Sequence, residues 1–250
     1  MPLRITTLAE RPHFRDELWD MPTSWPEFML CDPTGALFYE VCVEKYAEFV
    51  LVADDDDEPG RLVAKAMSVP FAWPRDELPD GGWDAVMLWA WHTRMTGAEP
   101  GTVSALEITV RPDRLGTGLS PLMLAALRDN AARLGFGELL APVRPNAKHL
   151  EPRTPMAEYA ARTRPDGLPA DPWLRVHVRA GGTIVKVAPR SMTVPGTLAE
   201  WREWTGLPFD VSGPVEVPGA LVPVHCDVEQ DHAVYVEPNV WIRHRLTAPA

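Results

Sequence analysis

Hydrophobic positions along the chain follow two patterns, one typical of strands and one typical of helices. β-branched and apolar residues cluster or alternate in strand-like runs at 48–53, 61–69, 103–110, 138–143, 183–187, 220–224 and 233–242. Apolar residues recur at helical spacing over 119–134, and shorter helices are predicted at 172–180 and 198–204. This order of elements predicts an α/β or α+β fold, with one mixed central sheet and helices on its faces.

Proline and glycine mark the less regular segments. Two short helices are predicted within 22–47, with an interruption at residues 32–35. Residues 70–102 begin with prolines and continue into a tryptophan-rich run compatible with a helix, and we interpret them as an insertion or lid. A second insertion is predicted at about 144–170 and a C-terminal extension at about 190–250. Because no repeat or low-complexity linker divides the sequence, residues 1–250 are predicted to form one domain.

An acidic run, Asp54 to Glu58, lies between the first two strand-like segments and is followed by Pro59 and Gly60. These turn residues predict a hairpin whose tip carries solvated carboxylates. A calcium loop is the alternative interpretation. Consecutive carboxylates do not have the alternating ligand spacing of that motif, so a solvated tip is favoured.

Composition narrows the classes of function. The chain is 46% hydrophobic and 24% charged, which is typical of globular proteins. No apolar run approaches the roughly 20 residues that span a bilayer, and the N-terminus lacks the apolar core of a signal peptide, so a cytoplasmic protein without a membrane partner is predicted. A net charge of −11 without a basic patch argues against nucleic acid. Three scattered cysteines suggest neither disulfides nor a metal site, and the spacing of His225, Asp227 and His232 fits a strand and turn better than metal ligands.

A glycine-containing turn joins the strand at 103–110 to the helix at 119–134. Gly116 and Gly118 allow positive φ and close approach of a ligand to the backbone. Backbone N–H groups there would converge at the positive end of the helix, and no acidic residue follows Asp113, so the turn has the features of an anion-binding cradle. An ordinary strand-to-helix turn uses the same residues, and the turn alone leaves both interpretations open.

The surrounding residues resemble motif A of the Gcn5-related N-acetyltransferases, in which a strand ending in Val-x-Pro-Asp leads into Arg-Gly-x-Gly-x-Gly and an apolar helix. Here the segment is Val110-Arg111-Pro112-Asp113 followed by Arg114-Leu115-Gly116-Thr117-Gly118-Leu119-Ser120. The resemblance implies the fold of this family and a binding site for acetyl-CoA or coenzyme A. The site would be formed by Ile108, Val110, Arg114, Leu115, Gly116, Thr117, Gly118, Leu119 and Ser120. Leu115 stands where the family usually has Arg or Gln, and Ser120 replaces the third glycine. A side-chain contact to pyrophosphate is therefore lost or is made by Arg114.

A second resemblance lies at 173–182, which is similar to the family's helix ending in Tyr-x-x-x-Gly-Phe. It places His177 at the tyrosine that often protonates the departing thiolate; a partly buried histidine on a helix face is the alternative. Asn146 matches a frequent coenzyme-contacting asparagine. The runs 171–177 and 235–244 resemble uncharacterised actinobacterial members of the family.

The resemblance implies direct transfer of an acetyl or other acyl group from acyl-CoA to an amine of a small molecule, without a metal. Glu107 is the candidate general base, and strand alternation places it opposite Val110 and on the face of Thr109. A structural ion pair or a solvated edge is the alternative role for Glu107. Two other functions are alternatives: a catalytically silent acyl-CoA-binding module and an interaction protein. The sequence does not identify the acceptor, the length of the acyl chain, or whether transfer is to nitrogen or oxygen. It also does not determine whether the chain forms the homodimer that is common in such families.

Overall fold

The computed structural model describes residues 3–55, 58 and 60–246. Within them the strands are β1 (Leu3–Thr7), β2 (Val50–Asp55), β3 (Leu62–Phe71), β4 (Thr102–Val110), β5 (Glu138–Val143), β6 (Thr183–Thr197), β7 (Gly213–Val215), β8 (Val224–Asp227) and β9 (His232–Arg245). The α-helices are α1 (Arg15–Asp20), α2 (Pro33–Lys45), α3 (Gly82–Thr96), α4 (Leu119–Arg133), α5 (Met156–Ala160), α6 (Pro172–Arg179) and α7 (Leu198–Thr205). Short 3-10 turns occur at Pro12–Phe14, Glu27–Cys31, Ala47–Phe49, Pro112–Arg114 and Lys148–Leu150.

All the described strands belong to one mixed sheet, as predicted, in the order β1-β2-β3-β4-β5-β9-β8-β7. β6 pairs with the other edge of β9 along most of its length. Neighbouring strands are antiparallel except β4 and β5, which are parallel and pair only through Val103↔Leu139 and Ser104↔Leu140. Beyond these pairs β4 follows β3 while β5 follows β9, so the two strands diverge towards their carboxyl ends.

Helices cover both faces of the sheet, because each face presents apolar side chains that must be buried. On one face α4 inserts Met123, Leu127 and Ala131 into the core over β3, β4 and β5. On the other face α3 packs on β3 and β6, beside α2. The predicted insertion at 70–102 therefore contributes a helix to one layer of the core. None of the described helices has both the length and the apolar character needed to cross a bilayer.

The C-terminal segment packs against an N-terminal turn. Phe28, from the 3-10 turn Glu27–Cys31, contacts Trp201 of α7 and Tyr235 of β9, with ring centroids 5.7 and 5.3 Å apart. Trp201 and Tyr235 are both fully buried. Residues distant in sequence therefore share one apolar cluster beside β9.

Most predicted elements are confirmed, but four predictions are wrong. The expected interruption at 32–35 is instead the start of α2. Asp32 caps the helix by accepting a hydrogen bond from the Gly35 N–H (2.6 Å), and Pro33 fits in the first turn, where backbone N–H groups have no partner within the helix. The strand expected at 220–224 is an irregular turn, and β8 begins only at Val224. The strand expected at 183–187 continues to Thr197. The fourth error concerns the hairpin tip.

The hairpin of β2 and β3 is confirmed, but the first two aspartates of its acidic run are not solvated. Asp54 is 0% exposed and pairs with Arg4 (3.0 Å) and Arg11 (2.5 Å). Asp55 is also buried and pairs with Arg114 (3.1 Å). Arginines from β1, from the following turn and from the glycine loop thus neutralise carboxylates that would otherwise be costly to bury. Asp56, Asp57 and Pro59 of the predicted tip lie outside the described residues.

Candidate active site

A cleft of about 290 Å³ lies at the carboxyl ends of β4 and β5, where the two strands diverge. Its lining residues are Val110, Arg114, Gly116, Gly118, Leu119, Ser120, Pro121, Asn146, Pro172, Trp173 and Val176. Seven residues predicted to bind coenzyme are therefore brought together, although Asn146 is distant from the rest in sequence. Three others, Ile108, Leu115 and Thr117, are not among the lining side chains.

The glycine loop has the conformation that an anion-binding cradle requires. Gly116 and Gly118 have φ values of 78° and 85°, and neither has a heavy atom near the position that a β-carbon would take. None of the described residues accepts a hydrogen bond from the backbone N–H groups of residues 116–120. These donors stand at the N-terminus of α4, whose first turn contains no acidic residue. They are free to bind an anionic group in the cleft.

Arg111 fixes the start of this loop. Its side chain is 2% exposed and donates to Glu58 (2.9 Å) and to Asp113 (2.7 and 3.0 Å). Hydrogen bonds from Arg111 and Arg114 lower the pKa of Glu58 to about 2. The loop is thereby attached to the β2–β3 hairpin, and both carboxylate partners of Arg111 are held in ion pairs.

Arg114 has a divided role. It borders the cleft, as predicted, but its guanidinium also pairs with Glu58 (2.7 Å) and Asp55 (3.1 Å). Thr117 donates its hydroxyl to the Arg114 carbonyl (2.6 Å), which tightens the turn. Leu115 is 56% exposed at the surface of the loop.

The backbone of β4 offers donors to the same cleft. The Arg111 N–H donates to Val63 of β3 (2.9 Å). Hydrogen bonding alternates along an antiparallel pair, so the N–H groups of Ile108 and Val110 face away from β3, towards the side where β5 diverges. An opening of this kind can receive an extended polar chain in place of a paired strand.

Asp171 positions the wall of the cleft that is formed by α6 and by the loop after β5. Its carboxylate accepts from the N–H groups of Trp173 and Leu174 at the start of α6, from the Ala147 N–H (3.0 Å) and from the Tyr159 hydroxyl (2.9 Å). One buried side chain therefore joins the α6 N-terminus to the loop that carries Asn146.

Glu107 lies on the same face of β4 as Thr109, opposite Val110, whose side chain packs in the cluster with α4. Its carboxylate accepts hydrogen bonds from the hydroxyls of Tyr39 and Thr109, and the Lys65 ammonium lies 3.6 Å away. Burial, and after it the negative charge of Glu107, raises the pKa of Tyr39 well above its ordinary value. The phenol therefore stays protonated and remains a hydrogen-bond donor. A β-bulge between Ala105 and Glu107 disturbs the β3–β4 register at this point.

Sequence patterns did not identify Tyr39 or Lys65 as partners of Glu107. Tyr39 lies in the segment 22–47, for which the sequence predicts two short helices and no site residue. A lysine within the otherwise apolar run 62–67 was a usable signal, because a buried ammonium requires a partner. Lys65 is 6% exposed and also donates to the Leu18 carbonyl (3.0 Å).

His177 is placed in the interior, where it is 2% exposed. Its Nδ1 lies 2.9 Å from Nε2 of His244, and its ring packs edge-on against Trp173 at 4.7 Å. Burial and the neighbouring His244 lower the pKa of His177 to about 3. Trp173 and Val176 of the same helix line the cleft whereas His177 does not. This placement favours the alternative of a buried histidine over the acid suggested by the resemblance.

The described residues contain no group of three or more His, Cys, Asp or Glu placed to hold a metal ion. His225, Asp227 and His232 instead border a second, open cavity of about 530 Å³ beside β8.

Comparisons with known proteins agree with this architecture. No family model matches the chain. Arginine N-acetyltransferase avaD of Aspergillus versicolor is 34% identical to it, and the match covers 97% of this chain and 93% of that protein.

Two solved structures share the fold at low sequence identity. The loading GNATL domain of CurA from Lyngbya majuscula superposes with a TM-score of 0.62 at 16% identity, over 98% of this chain and 96% of that one. The GphF GNAT-like decarboxylase, in complex with isobutyryl-CoA, gives a TM-score of 0.58 at 16% identity, over 99% and 100%.

Proposed function

The chain belongs to the Gcn5-related N-acetyltransferase superfamily, and from this premise we propose that it transfers an acetyl group from acetyl-CoA to an amino group of a small molecule. Acyl-CoA is the co-substrate of this class of enzyme. The relative from Aspergillus versicolor is an arginine N-acetyltransferase, so free arginine is the first acceptor to test. A net charge of −11 also favours a cationic acceptor.

The unpaired backbone donors of residues 116–120 carry this proposal. They would bind the coenzyme pyrophosphate at the positive end of α4, with Arg114 and Asn146 beside it. The pantetheine arm would follow the free edge of β4, where it meets the N–H groups of Ile108 and Val110. The same edge would place the thioester near the bulge that precedes Glu107.

Glu107 is the proposed general base. The acceptor amine must lose a proton as its nitrogen attacks the thioester carbon, and a carboxylate held by Tyr39, Thr109 and Lys65 has a fixed orientation for accepting it. The carbon–sulfur bond then breaks, and the thiolate takes up a proton, so that the products are an amide and coenzyme A. A backbone N–H such as that of Val110 would polarise the carbonyl oxygen.

A catalytically silent acyl-CoA-binding module is the second candidate. It is favoured by Leu115, which replaces the family's usual polar residue, and by the ion pairs that occupy the Arg114 guanidinium. Such a module would bind coenzyme through the backbone cradle and release no thiol.

Thiol release from acetyl-CoA in the presence of separate amines distinguishes the two candidates. The panel contains arginine, agmatine, lysine and an arylalkylamine, and each product is identified by mass spectrometry. We expect release of one thiol per acetylated amine for at least one acceptor. Coenzyme binding without acetylation of any amine would favour the silent module.

A further inference from the structure

Three carboxylates lie around Trp83, on the Glu107 side of the sheet. Asp32 caps α2 beside the Trp83 ring, and Asp84 follows Trp83 in the first turn of α3. Glu237 of β9 is joined to the Trp83 backbone by hydrogen bonds through Asn239 and Ser191. We call Asp32 and Asp84, with Trp83 between them and the catalytic region, the acidic pocket.

The two aspartates of the acidic pocket each have one unsatisfied oxygen. Oδ2 of Asp32 accepts from the Gly35 N–H (2.6 Å), and Oδ2 of Asp84 accepts from the Thr193 N–H (3.0 Å). Oδ1 of each residue is buried and has no hydrogen-bond partner among the described residues. Asp32 as a whole is 2% exposed. Buried carboxylate oxygens without donors are rare, since each costs free energy of desolvation that nothing offsets.

Glu237 differs from these two aspartates. Arg144 (2.9 Å), the Tyr235 hydroxyl (2.9 Å) and the Asn239 amide (3.0 Å) all donate to its carboxylate. Across the described residues, neither Asp32 nor Asp84 has an arginine or lysine partner. A cationic ligand would supply the partner that these carboxyls lack. Burial, with the charge of Asp32 as the next cause, raises the pKa of Asp84 to about 8, so without a cation this carboxyl keeps a proton, which a bound guanidinium would displace.

Trp83 connects the acidic pocket to the candidate base. A side chain at Gly35 would lie 3.3 Å from Oδ2 of Asp32 and 3.6 Å from the Trp83 ring, so that ring lies beside Asp32. The Trp83 indole N–H donates to the Leu106 carbonyl (3.1 Å), next to Glu107. Its ring also packs edge-on against Tyr39, with centroids 5.7 Å apart. One aromatic side chain thus spans the distance between the unsatisfied carboxylates and the proposed base.

We propose that the acidic pocket binds the guanidinium of an arginine-like acceptor through Asp32 and Asp84, while the acceptor's reacting amine lies towards Glu107. A guanidinium is planar and offers several N–H donors, so it can satisfy one oxygen from each of two carboxylates and pack against an indole. Asp84 retains partial exposure whereas Asp32 does not, so the ligand would approach from the Asp84 side. The inference rests on the proposed function for the acceptor's orientation, but cation binding is testable without turnover.

Citrulline provides the matched probe, because it replaces the guanidinium of arginine with a neutral group of nearly the same shape. Wild-type protein is titrated calorimetrically with arginine and with citrulline, in the presence of saturating coenzyme A. We expect arginine to bind roughly 10- to 100-fold more tightly, the range for hydrogen bonds to a charged partner. Equal affinity for the two compounds, or no binding of arginine, would overturn the inference whether or not any amine is acetylated.

Asp84→Asn and Asp32→Asn test the residue assignment. Each should remove most of the preference for arginine over citrulline, while acetyl-CoA affinity and the thermal midpoint stay close to those of the wild type. Glu99→Gln, which removes one exposed negative charge, is the control and should keep the preference. Where arginine is a substrate, the aspartate variants should raise its KM with little change in kcat. An unchanged arginine preference in both folded aspartate variants would reject the pocket and leave the proposed acetyltransferase function standing.

Discussion

Tyr39 of α2 donates its phenolic hydrogen to the carboxylate of Glu107 on β4, across 68 positions of sequence. The Tyr39 side chain is partly buried, and desolvation with the charge of Glu107 raises its pKa well above the ordinary value, so the phenol remains a donor. Thr109 donates from the same face of β4. These contacts fix the carboxylate beside the point where β4 and β5 diverge, which is where the mechanism places the thioester.

Glu107→Gln should lower kcat by about 10²- to 10⁴-fold, the usual contribution of a general base, because the amide cannot accept the amine proton. Acetyl-CoA affinity should stay unchanged, since Glu107 lies on β4 and the proposed coenzyme cradle lies in the turn before α4. Tyr39→Phe should cause a smaller loss by releasing the carboxylate. Steady-state kinetics of thiol release give kcat for both variants and the dependence of the rate on acetyl-CoA concentration. Glu40→Gln, which changes an exposed residue next to Tyr39 on α2, is the control. Full activity in Glu107→Gln would return Glu107 to the role of a structural ion pair.

Gly116→Glu should weaken acetyl-CoA binding by at least about 100-fold, because it places a side chain and a negative charge at an anion site and strains a positive-φ position. Gly167→Glu is a matched control, since Gly167 also has a positive φ (77°) and open space around it but is not part of the cleft lining. Calorimetric titration gives both affinities, and circular dichroism verifies folding. Equal coenzyme affinity in the two variants would exclude the assigned loop.

Leu115→Arg should strengthen coenzyme binding. The side chain is 56% exposed beside the cleft, so a longer cationic residue can be accommodated without repacking the core. An added cation near the pyrophosphate should lower the dissociation constant by roughly 3- to 10-fold at low salt. This gain in affinity should shrink at high salt, because dissolved ions screen the attraction. Leu115→Gln separates the effect of polarity from that of charge. A gain that persists at high salt would contradict an electrostatic cause.

The buried pair of His177 and His244 predicts a loss of stability in acid. Their pKa values are lowered from 6.5 to about 3 and about 4, chiefly by burial, so the folded protein stays neutral at both sites while the unfolded chain takes up protons below pH 6.5. The free energy of unfolding should therefore fall as the pH drops from 6.5 towards 4.

His177→Gln should make this pH dependence shallower, and His149→Gln, an exposed histidine, should leave it unchanged. Urea unfolding across the pH range measures the slopes. Thiol-release kinetics on the same variant examine the catalytic alternative: a turnover number close to wild type would support the structural role of His177. A large fall in kcat with intact coenzyme binding would support the role as acid.

The coenzyme cleft was largely predictable from sequence because its features are local. Two glycines, the strand before them and the apolar periodicity of α4 lie within one continuous segment, and each has a direct conformational consequence. Asn146 was found through a resemblance rather than through a pattern. The divergence of β4 and β5, which opens the cleft, depends on pairings with β3 and β9 and has no local signal.

The acceptor side could not be predicted in the same way. Tyr39 meets Glu107, and Asp32 comes to lie beside the Trp83 ring, only after α2 and α3 pack on the sheet. β6 was expected to end at residue 187, yet it continues to Thr197 because β9 provides a partner along most of its length. Tertiary pairing therefore decides both the length of this strand and which residues form the proposed acceptor pocket.

The central claim is that the turn between β4 and α4 binds acyl-CoA through its backbone. Calorimetric titration of the wild-type protein with acetyl-CoA, and separately with coenzyme A, tests it most directly. We predict one site per chain with a dissociation constant in the micromolar range for both compounds, since they share the pyrophosphate. A correctly folded protein that binds neither compound would contradict the coenzyme site and the mechanism built on it.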